Sequence, residues 1–194
     1  MTASIFSLGK NARSNNAGKD SIVEGGSRPC ESKRQGLILV ASLVGKVPNL
    51  AGLTRTCEVF RAAALAVSDM RITKDPLFSS ISVTAEQWMP LLEVPEADLG
   101  HWMVQKRAEG YRLIGVEQTA GSTLLPEFAF PSKSVLLLGR EREGIPLELL
   151  QLLDHTVEIP QLGVIRSLNV HVSGAIALYE YSRQQHAQQQ AKLS

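Results

Sequence analysis

From residue 37 onward, short unbroken apolar runs alternate with stretches in which apolar residues recur at helical spacing. Leu37-Ile38-Leu39-Val40-Ala41, Ala64 to Val67, Tyr111 to Val116, Val135 to Leu138 and Thr156 to Ile159 read as strands. The first and fourth carry no polar residue, which is the pattern of strands covered on both faces, as in a parallel sheet. Helices are predicted between and after them, at about 50–62, 96–109, 146–153 and 169–185. Strand and helix in alternation define an α/β fold, a mainly parallel sheet flanked by helices.

Punctuation supports this parsing. Asn49, after a Gly-Lys-Val-Pro turn, can cap the first helix, and Pro146 suits a first helical position, where its missing N–H costs nothing. Asn169 can cap the last helix, with Val170, Val172, Ile176 and Tyr179 as its apolar face and Gly174 and Ala175 allowing close approach of another helix. The polar tail from Gln184 to Lys192 is expected to fray.

Residues 1–35 have a different texture. They are rich in Ser, Asn, Gly, Lys and Arg, with Ile5, Phe6, Leu8, Ile22 and Val23 as the apolar anchors. Such a stretch buries too little surface to offset its ordering entropy, so it reads as a linker, a docking arm, or the trailing end of a larger polypeptide upstream. Residues 36–194 then form the folded domain. A chain of 194 residues with 44% hydrophobic content suits one well-buried core.

Composition narrows the function less than the pattern does. A formal charge of +1 argues neither for nor against nucleic acid, so an RNA footprint would come from local clustering or from pooling two copies of the chain. Cys30, Cys57 and four scattered histidines have no disulfide or metal spacing, so no metal site is expected. No apolar run reaches the ~20 residues that span a bilayer, and the N-terminus lacks a secretory core. The expectation is a soluble protein without membrane contact, intracellular, in cytoplasm or nucleus.

Three segments place small or polar residues where buried strands end: 49–56 (Asn-Leu-Ala-Gly-Leu-Thr-Arg-Thr), 139–146 (Gly-Arg-Glu-Arg-Glu-Gly-Ile-Pro) and 159–170, which closes on Ser167-Leu168-Asn169-Val170. In an open α/β sheet, ligands bind beyond the carboxyl ends of strands, where glycines let backbone approach. Each segment also has a plain reading. Gly139 and Gly144 could shape an ordinary turn, Arg55 could be a solvated helix residue, and Ser167 or Asn169 could cap a helix. Capping explains one of that last pair but not both, because the N-cap is a single position. Trp88 and Trp102 suit core or interface packing, and His155 and His171 are as easily structural as functional. Arg140 and Arg142 could touch phosphate, yet Glu141 and Glu143 interleave with them and bring the local net charge near zero.

In this order the three segments resemble the signature motifs of the SPOUT superfamily of RNA methyltransferases, in its SpoU/TrmH branch. Asn49-x-x-Gly52-x-x-Arg55-Thr56, Gly139-x-Glu141-x-x-Gly144 and Ser167-Leu168-Asn169-Val170 after Ile159-Pro160 carry the match, over residues 37–181. Glu117-Gln118-Thr119 with Ser122 is similar to the transfer-RNA-methylating group. The resemblance implies a SPOUT α/β-knot with a C-terminal trefoil, and a homodimer whose sites draw on both subunits. It implies S-adenosylmethionine as cofactor, S-adenosylhomocysteine as product, and contacts at Glu117, Leu138, Gly139, Ile159, Pro160, Gln161, Leu162, Gly163 and Leu168.

The activity so implied is ribose 2′-O-methylation of RNA, with a D-loop guanosine of tRNA (the guanosine-18 type) as target. The 2′-oxygen would attack the sulfonium methyl in line. Arg55 is then the catalytic arginine, with Asn49, Glu141, Ser167 and Asn169 orienting it and the ribose. A guanidinium effectively never deprotonates, so Arg55 is expected to bind phosphate and stabilise the developing alkoxide as a fixed cation. The competing readings are a non-catalytic RNA-binding or scaffolding module with the same fold, and a dinucleotide-binding domain. The latter lacks a G-x-G-x-x-G after its first strand.

Overall fold

The computed structural model describes residues 33–165 and 167–192, so the expectations for the first 32 residues, Cys30 among them, lie outside it. Seven strands form one sheet: β1 (Leu37–Val40), β2 (Ala64–Val67), β3 (Leu91–Glu93), β4 (Arg112–Val116), β5 (Thr123–Leu124), β6 (Ser134–Leu138) and β7 (His155–Glu158). Their order is β3-β2-β1-β6-β4-β7-β5, and every pairing is parallel. The helices are α1 (Val47–Val59), α2 (Pro76–Ser82), α3 (Leu99–Ala108), α4 (Leu147–Leu150) and α5 (Val170–Ala191).

Period-two alternation divides the core. Leu37 and Leu39 of β1 and Leu136 and Leu138 of β6 pack with Leu50 and Leu53 of α1 and Leu178 and Tyr181 of α5. The intervening Ile38, Val40, Val135 and Leu137 face the other layer, with Leu99 and Met103 of α3 and Leu149 of α4. Because both faces are covered, β1 and β6 are buried at every position. Each buried Leu or Val contributes about 1.5–3 kcal/mol relative to exposure. Tyr181 also ties α5 to the sheet edge, donating its hydroxyl proton to the carbonyl oxygen of Ser132 at 2.6 Å.

Several expectations need correction. Lys46, not Asn49, is the N-cap of α1, because Pro48 fits the first turn and starts the helix earlier. Pro146 is the N-cap of α4 and not its first residue, and that helix is a single turn. α5 does not fray at Gln184 but continues to Ala191, and Gln184 donates to the carbonyl oxygen of Phe128 at 2.8 Å. The face of α5 turned to the core is Gly174, Ala177, Leu178 and Tyr181. Of the apolar face predicted for this helix, Val172, Ile176 and Tyr179 are exposed at 42, 37 and 56%, and Val59 of α1 is exposed at 68%. Trp88 lies outside the core at 70% exposure, while Trp102 is half-buried under Lys106. β3, β5 and α2 have no counterpart among the predicted elements; α2 is capped by Asp75, whose carboxylate accepts from the Leu77 N–H.

The chain runs outward from β1 through β2 to β3, then crosses to β4 on the other side of β6. This reversal of strand order leaves a crevice at the carboxyl ends of the central strands, the usual ligand position in open α/β sheets. Among the described residues no helix is long and apolar enough to cross a membrane, and no cluster of His, Cys, Asp and Glu could hold a metal ion.

Candidate active site

A cavity of about 210 Å³ occupies that crevice, at the ends of β4, β6 and β7 and against the first turn of α5. Its shape depends on the loop after β6. Arg140 and Gly144 exchange backbone hydrogen bonds at 2.9 and 3.2 Å, folding the loop into a tight hairpin. Gly144 has φ +72°, a conformation that favours glycine. A Cβ on Gly139 would lie 2.5 Å from the carbonyl carbon of Gly144, so only glycine lets the two ends meet. Glu117 braces the loop from β4, its carboxylate accepting from the Ile145 N–H at 2.9 Å.

A one-way chain of hydrogen bonds joins the three motif segments beside this cavity. Glu141 accepts from Asn49 Nδ2 at 3.1 Å, Asn49 Oδ1 accepts from Asn169 Nδ2 at 3.0 Å, and Asn169 Oδ1 accepts from the N–H groups of His171 and Val172 at 2.9 and 3.3 Å. Its direction follows from chemistry: a carboxylate only accepts and a backbone N–H only donates, so each asparagine amide has one allowed orientation. Asn169 is therefore the cap of α5. Ser167 is left outside the helix, exposed and lining the cavity.

His171 extends the link to α1. Its Nε2 lies 3.0 Å from Thr56 Oγ1, and that hydroxyl donates its only proton to the carbonyl oxygen of Gly52 at 2.9 Å. Nε2 must then carry a proton and donate, which leaves Nδ1 unprotonated in the neutral ring. Burial pushes the His171 pKa down, in keeping with a neutral imidazole. The ring packs so closely on α1 that a Cβ on Gly52 would meet its Nδ1 at 2.5 Å.

The structure brings together Glu117, Leu138, Gly139, Glu141, Ile159, Gln161, Ser167 and Leu168 as cavity lining. Asn49 and Asn169 stand behind Glu141 through the hydrogen-bond chain. Pro160, Leu162 and Gly163 do not line the cavity; Leu162 is fully exposed. Arg55 is also exposed and outside it, and its guanidinium makes no hydrogen bond or ion pair with another described residue. Glu158 and Ser173 line the cavity but were not singled out by the sequence reading. Glu158 ends β7 and accepts from Ser122 Oγ at 2.7 Å; Ser173 follows Asn169 by one helical turn, and that spacing was the available signal. Gln161 Oε1 is buried with no hydrogen-bond partner among the described residues.

Both the fold and the motif geometry agree with what comparison finds. The SpoU rRNA Methylase family matches residues 36–179, and the chain belongs to that family. It is 60% identical over 149 residues to the mouse protein named tRNA (guanosine(18)-2′-O)-methyltransferase TARBP1, covering 77% of this chain and 9% of that protein. It is 45% identical over 152 residues to the tRNA (guanosine(18)-2′-O)-methyltransferase of Saccharomyces cerevisiae, covering 78% of this chain and 11% of that one. The chain thus spans about a tenth of the length of these two relatives. Among solved structures, the SpoU methyltransferase AviRb from Streptomyces viridochromogenes in complex with the cofactor AdoMet superposes with a TM-score of 0.67 at 25% identity, over 82% of this chain and 63% of that one.

Proposed function

We propose that the chain is an S-adenosylmethionine-dependent RNA ribose 2′-O-methyltransferase acting on guanosine 18 of tRNA. The observation that carries the reading is the Glu141–Asn49–Asn169 chain, which fastens all three motif segments beside one cavity walled by glycine backbone. Two relatives named for this activity, at 60 and 45% identity, supply the substrate. The cavity suits the cofactor because one of its lining residues, Gln161, has a buried Oε1 left without a partner among the described residues, an acceptor that a donor such as an exocyclic amine would satisfy.

S-adenosylmethionine, when bound, supplies an electrophilic methyl group on a sulfonium. The protein's own contribution is positioning and charge. Leu138, Gly139, Ile159 and Leu168 wall the cavity and exclude water. Ser167 presents a hydroxyl there, free of capping duty. Glu141, held by Asn49, offers a fixed acceptor at its side for ribose. Arg55 contributes a permanent cation to bind phosphate and stabilise a developing alkoxide, and the proton leaves to phosphate or water.

In a single copy Arg55 stands apart from the cavity. It shares an α1 face with the exposed Val59, four residues on, and α5, which packs on α1, exposes Val172, Ile176 and Tyr179. The reading therefore includes a homodimer in which this face is covered by a second copy and Arg55 serves the partner's cavity, together with a C-terminal trefoil knot. It assigns residues 36–194 to the methyltransferase domain, leaves residues 1–35 outside it, and places the protein inside the cell, in cytoplasm or nucleus.

The test is methyl transfer from labelled S-adenosylmethionine to an unmodified tRNA transcript, with ribose methylation mapped along the RNA. The expected result is modification of guanosine 18, lost in Arg55→Ala. Cofactor binding without transfer to any RNA would defeat the proposal.

A further inference from the structure

The charges on the second motif segment sort themselves in three dimensions. Arg140 forms an ion pair with Glu96 and lies 3.8 Å from Glu143, so it draws in the carboxylate that follows Arg142 in sequence. Glu141, the carboxylate before Arg142, accepts from Asn49 instead. Arg142 is left exposed at the cavity wall with no hydrogen bond or ion pair to another described residue. The near-zero net charge of the segment conceals one uncompensated cation.

A second exposed cation, Lys46, lies on the α1 side of the Asn49–Glu141 bond. Lys46 caps α1, and its carbonyl oxygen accepts from the N–H of Asn49 at 3.1 Å, one turn before the side chain that holds Glu141. The Asn49–Glu141 bond therefore brings the backbones of Lys46 and Arg142 to either side of one contact. The Lys46 ammonium is also exposed and unpaired among the described residues. Arg34, Arg71, Lys106, Arg107, Arg112 and Arg183 are matched with carboxylates, and Arg142 and Lys46 are not. A free cation in the cavity wall, with another one turn from the residue that holds Glu141, fits a polyanion that arrives from solvent and releases counterions.

We propose that Lys46 and Arg142 form a phosphate clamp at the mouth of the cavity, gripping the RNA backbone beside the nucleotide to be methylated. The clamp rests on the RNA-methyltransferase reading above and adds its substrate contacts. Arg142, with a planar five-donor fork, can grip a phosphate in two-pronged fashion, while Lys46 acts as a point charge. The clamp carries no base information, so its loss weakens RNA binding without redirecting modification to another nucleotide.

The experiment measures the affinity of an unmodified tRNA transcript for the whole chain at a series of salt concentrations, with methyl transfer followed on the same samples. Arg142→Gln and Lys46→Gln are each expected to lower the slope of log affinity against log salt by roughly 0.7–1, and the pair by about twice that. Arg142→Lys should restore most of the slope lost in Arg142→Gln. The control is Lys192→Gln, ~33 Å from the site along α5, which should match wild type. Wild-type slopes in both Gln variants, with the parent chain binding and methylating tRNA, would overturn the clamp and leave the enzymatic reading standing. Failure of Arg142→Lys to restore the slope would overturn it too, since charge would then not be the cause. Altered slopes in a protein that transfers no methyl group to RNA would support the clamp and remove the enzymatic reading.

Discussion

The carboxamide of Asn169 donates to the carboxamide oxygen of Asn49 at 3.0 Å across 120 residues of sequence. This bond makes the start of α5 and the first turn of α1 one unit and leaves the Asn49 N–H₂ facing Glu141. Asn49→Ala should therefore act at both ends, stripping Glu141 of its donor and Asn169 of its acceptor. The expected loss of stability is about 1–3 kcal/mol by denaturant unfolding. Asn49→Asp should be worse than Ala for activity, because it sets a second carboxylate against Glu141. Equal activity in the two variants would show that the orientation of the chain is irrelevant to catalysis.

Gly52 and His171 form the neighbouring contact, and it leaves no room. Gly52→Ala would place a methyl 2.5 Å from the imidazole, so α1 and α5 must part or the ring must leave Thr56. Overpacking of this kind costs about 1–3 kcal/mol. Adding His171→Ala should relieve much of that cost, so the double variant should be more stable than the sum of the single effects. Gly45→Ala, with nothing within 4 Å, provides the comparison. Strict additivity in the cycle would contradict the contact.

Much of this fold was legible and some could not be. Leu37 to Val40 and Val135 to Leu138 announce central strands because burial on both faces leaves no polar alternation to misread. β3 and β5, with three and two residues, exist through their ladder partners and carry almost no local signal. α5 carries two apolar stripes, and periodicity cannot say which one meets the sheet. The inward stripe is that of Gly174 and Tyr181; the other, with Val172 and Tyr179, is exposed. In the site, the motif segments were readable by type and order, but the role of Asn49 was not. A helix cap and a buried link to Glu141 both call for asparagine, and Pro48 decided between them by moving the helix start to Lys46. Likewise, the free charge of Arg142 depends on where Glu141 and Glu143 turn, a question of tertiary geometry.

His171 should leave a trace in the pH dependence of stability. Burial lowers its folded pKa, so the unfolded chain, with an ordinary imidazole near ~6.5, binds the proton more readily. The linked stability is complete above the unfolded pKa and is lost as pH falls through it toward the folded value. Unfolding free energies should thus decline below about pH 6.5, and His171→Gln should flatten that decline while keeping an N–H donor for Thr56. An unchanged slope in the variant would assign the decline to other groups.

Gly144 tests the loop that shapes the cavity. With φ +72° and a Cβ that would fall 2.5 Å from Glu117 Oε2, an alanine there must both strain the backbone and dislodge the brace on Ile145. Thermal unfolding with saturating S-adenosylmethionine should show a clear upward shift for the parent chain, because a ligand that binds only the folded state stabilises it by about 2.7 kcal/mol at a hundredfold excess over Kd. In Gly144→Ala the shift should be largely lost. A full shift in the variant would separate the loop from the cofactor.

The placement of Arg55 leads to the most demanding experiment. In one copy it is exposed, unpaired among the described residues and outside the cavity, one helical turn before the exposed Val59 on α1, while α5 exposes Tyr179. Arg55→Ala should therefore leave stability within about 0.5 kcal/mol of the parent while lowering methyl transfer by a factor of about 100 or more. Tyr179→Glu should shift the sedimentation equilibrium toward monomer and abolish transfer at the same time. Mixed dimers then separate two arrangements. When one subunit carries Arg55→Ala and the other Gly144→Ala, an arginine acting across the interface finds an intact cavity opposite and restores one working site in two. An arginine serving its own cavity leaves both sites dead. Recovery of activity on mixing two inactive variants, seen with heterodimers purified by two different tags, is the expected outcome; persistent inactivity would place Arg55 and its cavity in the same chain.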